Sequence, residues 1–130
     1  MTILPHREDM LLLDSAELTG EGEATGAYTV RGDEFFLRGH FPGNPVVPGV
    51  ILCEMIGQAA CALMKDSLAG KAPYFTGIDK ARFRRKVVPG DVIELRAKPL
   101  RDKGNLHVIY GEAHVGGQLC ASGEFSFMIV

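Results

Sequence analysis

The chain has 130 residues, near the common size of a single domain and long enough to bury a core without disulfide or metal staples. It is 46% hydrophobic and 23% charged with a formal net charge of -2, which excludes a disordered chain and gives no global basis for nucleic-acid binding. Its three cysteines, Cys53, Cys61 and Cys120, form no CxxC pair and have no His spacing suited to zinc, so they read as small buried thiols.

At the N-terminus, MTILPHREDMLLLD carries its charges ahead of a run of only four apolar residues, the pattern of neither a secretory signal nor a transit peptide. Leu11 to Leu18 and Ala24 to Val30 read as extended segments either side of the turn Gly20-Glu21-Gly22. A loop rich in proline and glycine, Gly39 to Gly49, then leads into a run of fifteen residues, Val50 to Met64, all apolar or small except Glu54 and Gln58. That run is shorter than the roughly 18 to 20 residues that span a bilayer, and it is too long and uniform for a strand. Its Ala, Leu, Met and Gln content predicts a helix, with Pro48 in the first turn and Gly70 beyond the end. A helix apolar on nearly every side should be buried on nearly every side.

The C-terminal half alternates with period two. Ile93, Leu95 and Ala97 oppose Glu94, Arg96 and Lys98; Leu106, Val108 and Tyr110 follow; then Leu119, Ala121, Phe125, Phe127 and Ile129. Asp102-Lys103-Gly104-Asn105 and Gly116-Gly117 supply the hairpin turns. The prediction is one α+β domain over residues 1–130, a meander of antiparallel strands wrapped round one hydrophobic helix. Such a sheet has edges, and edge-to-edge pairing of two subunits would cover one of them, so a homodimer is expected.

The chemistry gathers at the loop and the helix. Pro42, Pro45 and Pro48 restrict φ, and Gly39, Gly43 and Gly49 allow tight turns, so His40 is held at the mouth of the helix. The helix N-terminus at Gly49 and Val50 presents backbone N–H groups and the positive end of the dipole, suited to a carbonyl oxygen that gains charge. Glu54 and Gln58 are spaced i, i+4 and form one polar stripe, on which Gln58 is expected to contact substrate. Burial favours the protonated form of a carboxyl, so Glu54 is expected to serve as a general acid and His40 as the complementary base. An acid, a base and an oxyanion site together describe proton abstraction beside a carbonyl coupled to loss of a leaving group.

GHFPGNPVVPGVILCE at 39–54, LPHR at 4–7 and YFTGIDKARFRRKVVPGD at 74–91 resemble the FabZ-type family of 3-hydroxyacyl-acyl carrier protein dehydratases, in order and spacing and over nearly the whole chain. The resemblance implies a hotdog fold and a homodimer whose active sites are shared, with His40 from one subunit and Glu54 from the other, and it admits a trimer of dimers. It implies that His40 removes the proton α to the thioester and Glu54 helps the 3-hydroxyl leave as water, that the Gly49 N–H binds the thioester carbonyl, and that no metal or other cofactor is needed. Tyr74 and Phe75 match the gate of the acyl tunnel.

Lys80, Arg82, Arg84, Arg85 and Lys86 place five cations in seven residues and suit docking of an acidic acyl carrier protein, while interleaved aromatics are too few for nucleic acid. No membrane partner is implied, and the expected compartment is the cytoplasm. Glu8-Asp9-Met10 stand in place of the family's aromatic-Pro-Phe, and Lys86 in place of a proline. The competing readings are a hotdog thioesterase and a non-catalytic acyl-thioester binding subunit. Retention of both His40 and Glu54 disfavours the latter.

Overall fold

A computed structural model describes residues 10–38, 43–64 and 71–129. His40 and the LPHR motif therefore lie outside the described residues.

Alternation of apolar and polar side chains in the C-terminal half decides the architecture. In β4 (Val92–Lys103), Ile93, Leu95 and Ala97 are buried while Glu94, Arg96 and Lys98 are exposed. In β5 (Leu106–Val115) the core face is Ile109, Gly111 and Ala113 rather than the expected Leu106, Val108 and Tyr110, because Gly111 is the position that lets the helix approach, whereas in β6 (Gln118–Ile129) Phe125, Phe127 and Ile129 point into the core as expected. With β1 (Ser15–Leu18), β2 (Ala24–Thr29) and β3 (Pro73–Phe83) these strands form one six-stranded antiparallel sheet, in the order β1-β2-β4-β5-β6-β3. The turns at Gly104 and at Gly116-Gly117 have positive φ, the backbone that tight hairpins need.

The inner face of the sheet curls round α1 (Gly49–Ala60), which continues as a 3-10 turn over Cys61–Met64. Leu52, Cys53 and every residue from Met55 to Ala60 are buried. Contact is close enough that a Cβ on Gly111 of β5 would overlap Ile56 Cγ2. The expected helix thus forms, with its last turn tightened and Pro48 as its N-cap rather than inside the first turn. Fully burying side chains such as Ile56 and Phe125 contributes about 1.5–3 kcal/mol each. The α+β hotdog architecture is the one expected from the sequence, and among the described residues no helix is long and apolar enough to cross a membrane.

Two elements differ from the sequence reading. Strand β1 begins at Ser15 rather than Leu11, because the backbone of the preceding segment bonds a side chain of α1 instead of a strand. Strand β3, of which the sequence showed only an aromatic start and a basic end, runs for 11 residues along the edge next to β6. Its register slips between Phe75 and Gly77 and again between Asp79 and Arg82, and Lys80 in the second irregularity has φ 56.

Candidate active site

Helix α1 starts where the proline-rich loop ends. The N–H groups of Ile51 and Leu52 donate to Pro48 O at 3.0 and 3.2 Å, so those of Gly49 and Val50 stand ahead of the first bond of the helical ladder. Val50 is 75% exposed. Gly49 lies under the ring of Phe83 from β3, and a Cβ there would come within 2.9 Å of Phe83 Cε1. Beside this contact opens a cleft of about 460 Å³ with apolar walls from Val46, Val47, Leu52 and Phe83, and with Arg84, Arg85 and Lys86 also lining it. An apolar cleft, the positive end of a helix and cations together suit a ligand that is part hydrocarbon and part anionic.

The polar stripe foreseen on the helix is present. Gln58 is wholly buried, and its amide is committed at both ends: Oε1 accepts from Leu12 N–H at 2.9 Å, while Nε2 donates to Met10 O at 2.7 Å and to Glu54 Oε2 at 3.0 Å. A buried amide with three partners fixes the side chain it touches. Gln58 therefore sits behind Glu54 and anchors the segment before β1, wholly buried and held at both ends where the sequence had it contacting substrate. Glu54 itself is half-buried, where the sequence suggested full burial. The physical reason lies in the helix: Val50, Ile51 and Glu54, at i, i+1 and i+4, form a stripe that the chain's own sheet does not fully cover.

All three cysteines are free and buried. Burial, helped by the negative charge of Glu54, pushes the Cys61 thiol up to about 12, and burial raises Cys53 as well. Neither is a nucleophile at neutral pH.

His40 lies outside the described residues, between supports that the structure does describe. Upstream, a 3-10 turn over Phe35–Leu37 buries Phe36 and Leu37. Downstream, Val47 N–H donates to Val87 O at 2.8 Å. Tyr74 and Phe75 open strand β3, Tyr74 being 59% exposed. The Phe75 ring packs 4.7 Å from that of Phe127 and fills the space that a side chain at Gly57 would take. Sequence reasoning missed Gly57 and Phe83. A glycine inside a helix, which costs about 1 kcal/mol relative to alanine, was the available sign of a close approach at position 57; nothing marked Phe83.

The basic run divides. Arg85 is half-buried with Nη1 3.4 Å from Asp91 and is tied to the fold, whereas Lys80, 3.4 Å from Glu124, has an exposed side chain. Arg82, Arg84 and Lys86 are exposed.

Comparison with known proteins agrees with this geometry. The family model described as FabA-like domain matches residues 4–124. Over 132 residues the chain is 43% identical to the 3-hydroxyacyl-acyl-carrier-protein dehydratase FabZ of Clostridium tetani, covering 99% of this chain and 93% of that one. It is 42% identical to the same-named protein of Moorella thermoacetica, covering 98% and 91%. Among solved structures, the dehydratase heterocomplex ApeI:P from Xenorhabdus doucetiae superposes with a TM-score of 0.82 at 20% identity, over 97% of this chain and 87% of that one. A mutant of the fluoroacetyl-CoA-specific thioesterase FlK superposes at 0.71 with 18% identity, over 83% and 84%, and at that identity the likeness concerns the fold alone. The match in sequence runs the length of the chain and takes in both the helix with its Glu54 and Gln58 stripe and the strand that closes over it: the chain belongs to the FabA-like family and, within it, to the FabZ-type dehydratases.

Proposed function

We propose that this chain removes water from a 3-hydroxyacyl thioester borne on acyl carrier protein and releases the trans-2-enoyl thioester. The observation that carries the reading is Glu54, held by a wholly buried Gln58 one turn beyond a helix start that opens on an apolar cleft. His40 takes the C2 proton, the freed electron pair becomes the C2=C3 double bond, and the C3–O bond breaks. The departing hydroxyl takes its proton from Glu54 of the partner subunit and leaves as water. The Gly49 N–H donates to the thioester oxygen, where negative charge gathers as C2 loses its proton. Val50, beside it, contributes to the same helix terminus. Gln58 positions Glu54, and Tyr74 and Phe75 gate the acyl path without touching the reacting atoms. The whole chain acts as a single domain, without metal or redox cofactor.

Two subunits complete the site. An edge strand that exposes Tyr74, Ile78 and Phe83, next to a helix start that exposes Val50, supports pairing of a second copy along β3. A trimer of dimers is the larger assembly that the family likeness admits. Arg82, Arg84 and Lys86 form the face that meets the acidic carrier, with Lys80 and Arg85 shaping it. Three free buried thiols suit the reducing cytoplasm.

Incubation with 3-hydroxyacyl thioesters on carrier protein and on coenzyme A, followed by enoyl absorbance and product mass, tests the reading. Reversible dehydration that falls by about 10²-fold or more in His40→Ala and in Glu54→Gln is expected. Unchanged turnover in both variants overturns the mechanism, and thiol release in place of enoyl product makes the chain a thioesterase. Inactive wild type that still binds acyl carrier makes it a binding subunit.

A further inference from the structure

The open face of α1 comes to an end. Val50 is exposed and Glu54, four residues on, is half-buried, but Gly57, three further along the same face, is buried. The Phe75 ring of β3 covers it. A Cβ at position 57 would come 2.7 Å from Phe75 Cζ, and the ring is wedged between the helix and the inner face of β6, with centroids 4.7 Å from Phe127 and 6.2 Å from Phe125. Phe75 lies opposite Phe127 in the ladder, so its side chain turns inward while that of Tyr74 turns to the other face of the strand. It remains 38% exposed, seated on the helix and not enclosed. A glycine weakens a helix interior relative to alanine, and what it yields here is the room for this ring.

In the dehydration proposed above, Glu54 serves the hydroxyl on C3, so the first acyl carbons beyond C3 lie within about one helical turn of it. Residues three apart on a helix are neighbours on its surface. Gly57 and the ring seated on it are therefore the surface of that subunit which closes the open face just past Glu54. Its walls are the rings of Phe75, Phe125 and Phe127 and bare helix backbone, which suits hydrocarbon and offers a polar group nothing. We propose that Phe75, seated on Gly57, is a specificity-determining residue for acyl length: the ring ends the path beyond Glu54, so the site favours short 3-hydroxyacyl chains, and a longer chain enters only by displacing the ring. The inference deepens the dehydratase reading and rests on it.

The test uses the full-length protein and 3-hydroxyacyl pantetheine thioesters of rising length, from 3-hydroxybutyryl to 3-hydroxyhexadecanoyl, and reads the ratio of kcat/KM for long over short chains. In wild type that ratio is expected to be well below one. In Phe75→Ala it should rise about tenfold or more. Phe75→Leu should give a smaller rise, and it decides the matter if Phe75→Ala does not fold. Gly57→Ala leaves Phe75 in place but puts a methyl where the ring sits, and the ring, open on one side, is free to turn outward, so the ratio should move the same way. A wild-type preference for long chains overturns the proposal. So does an unchanged ratio in the Phe75 variants with only a lower melting temperature, which is what a ring that merely completes the core would give. Should wild type dehydrate no chain of any length, the reaction assigned above fails, while calorimetric affinities for saturated acyl pantetheine thioesters of the same lengths still decide the role of the ring: a long-over-short ratio that rises in Phe75→Ala supports it, and one that stays put overturns it.

Discussion

Replacing Gln58 by methionine keeps the length of the side chain and removes the amide that joins α1, Glu54 and the segment before β1. Three hydrogen bonds are lost, to Met10 O, from Leu12 N–H and to Glu54 Oε2. At about 0.5–1.5 kcal/mol each the loss is roughly 1.5–4.5 kcal/mol. Leu12 is only 3% exposed, so water cannot easily replace the partner of its N–H, and the upper half of that range applies. With a urea slope of about 1–3 kcal/mol/M, that upper half, roughly 3–4.5 kcal/mol, should lower the unfolding midpoint by roughly 1–4.5 M at fixed protein concentration. Turnover should fall as well, on the order of 10-fold or more, because the Glu54 carboxylate loses the donor that orients it. A midpoint within about 0.3 M of wild type, well short of that predicted fall, would show that the amide bonds are not the support of this segment. A lowered midpoint with unchanged kcat would show that Glu54 is oriented by something else.

Gly49→Ala places a methyl 2.9 Å from a Phe83 ring atom, and that ring, 54% exposed, can swing away over the cleft. The variant should fold, lose about tenfold in kcat/KM, and regain it when combined with Phe83→Leu, as a double-mutant cycle would measure. Burial first, then the bond to Glu34 and its charge, pushes Tyr28 up to about 12 from an ordinary 10.0. A hydroxyl whose pKa is raised by folding stabilises fully below pH 10 and loses that contribution as pH rises to about 12. Denaturation curves should therefore show a loss across this window that Tyr28→Phe lacks. Reversing charge in Arg84→Glu with Lys86→Glu should raise KM for carrier-borne substrate roughly tenfold, less at high salt, and leave kcat and the KM for a simple pantetheine thioester unchanged. An equal rise for both substrates would show that these cations, which line the cleft, act on the thioester ligand itself and not on the carrier.

How much of this was legible depends on whether a residue's partners share its element. The helix from Gly49 and strands β4 and β6 were readable because their burial follows periods of 3.6 and 2 that the sequence displays directly, while in β5 the inward face includes Gly111, whose missing side chain hid the phase. The stripe of Glu54 and Gln58 was readable for the same reason, since i and i+4 on a helix are neighbours. Strand β3 escaped because two irregularities break its alternation and every position on this edge is exposed or half-buried, leaving no apolar period to find. Glu34 carried no sign at all. Its three donors come from a strand and two turn positions, and a glutamate in a polar loop has the same sequence appearance whether it holds a clasp or faces water.

The segment Met10–Asp14 shows why misplacing a strand start matters for the site. Read as strand, Leu11 to Leu13 would spend their backbone groups on a neighbour in the sheet. Instead Met10 O and Leu12 N–H go to Gln58, which orients Glu54, and two residues later Asp14 binds Arg31 and Thr29. One short strap, continuous in sequence, thereby joins the side chain behind Glu54 to the turn after β2, where Glu34 accepts from Tyr28, Arg31 and Gly32.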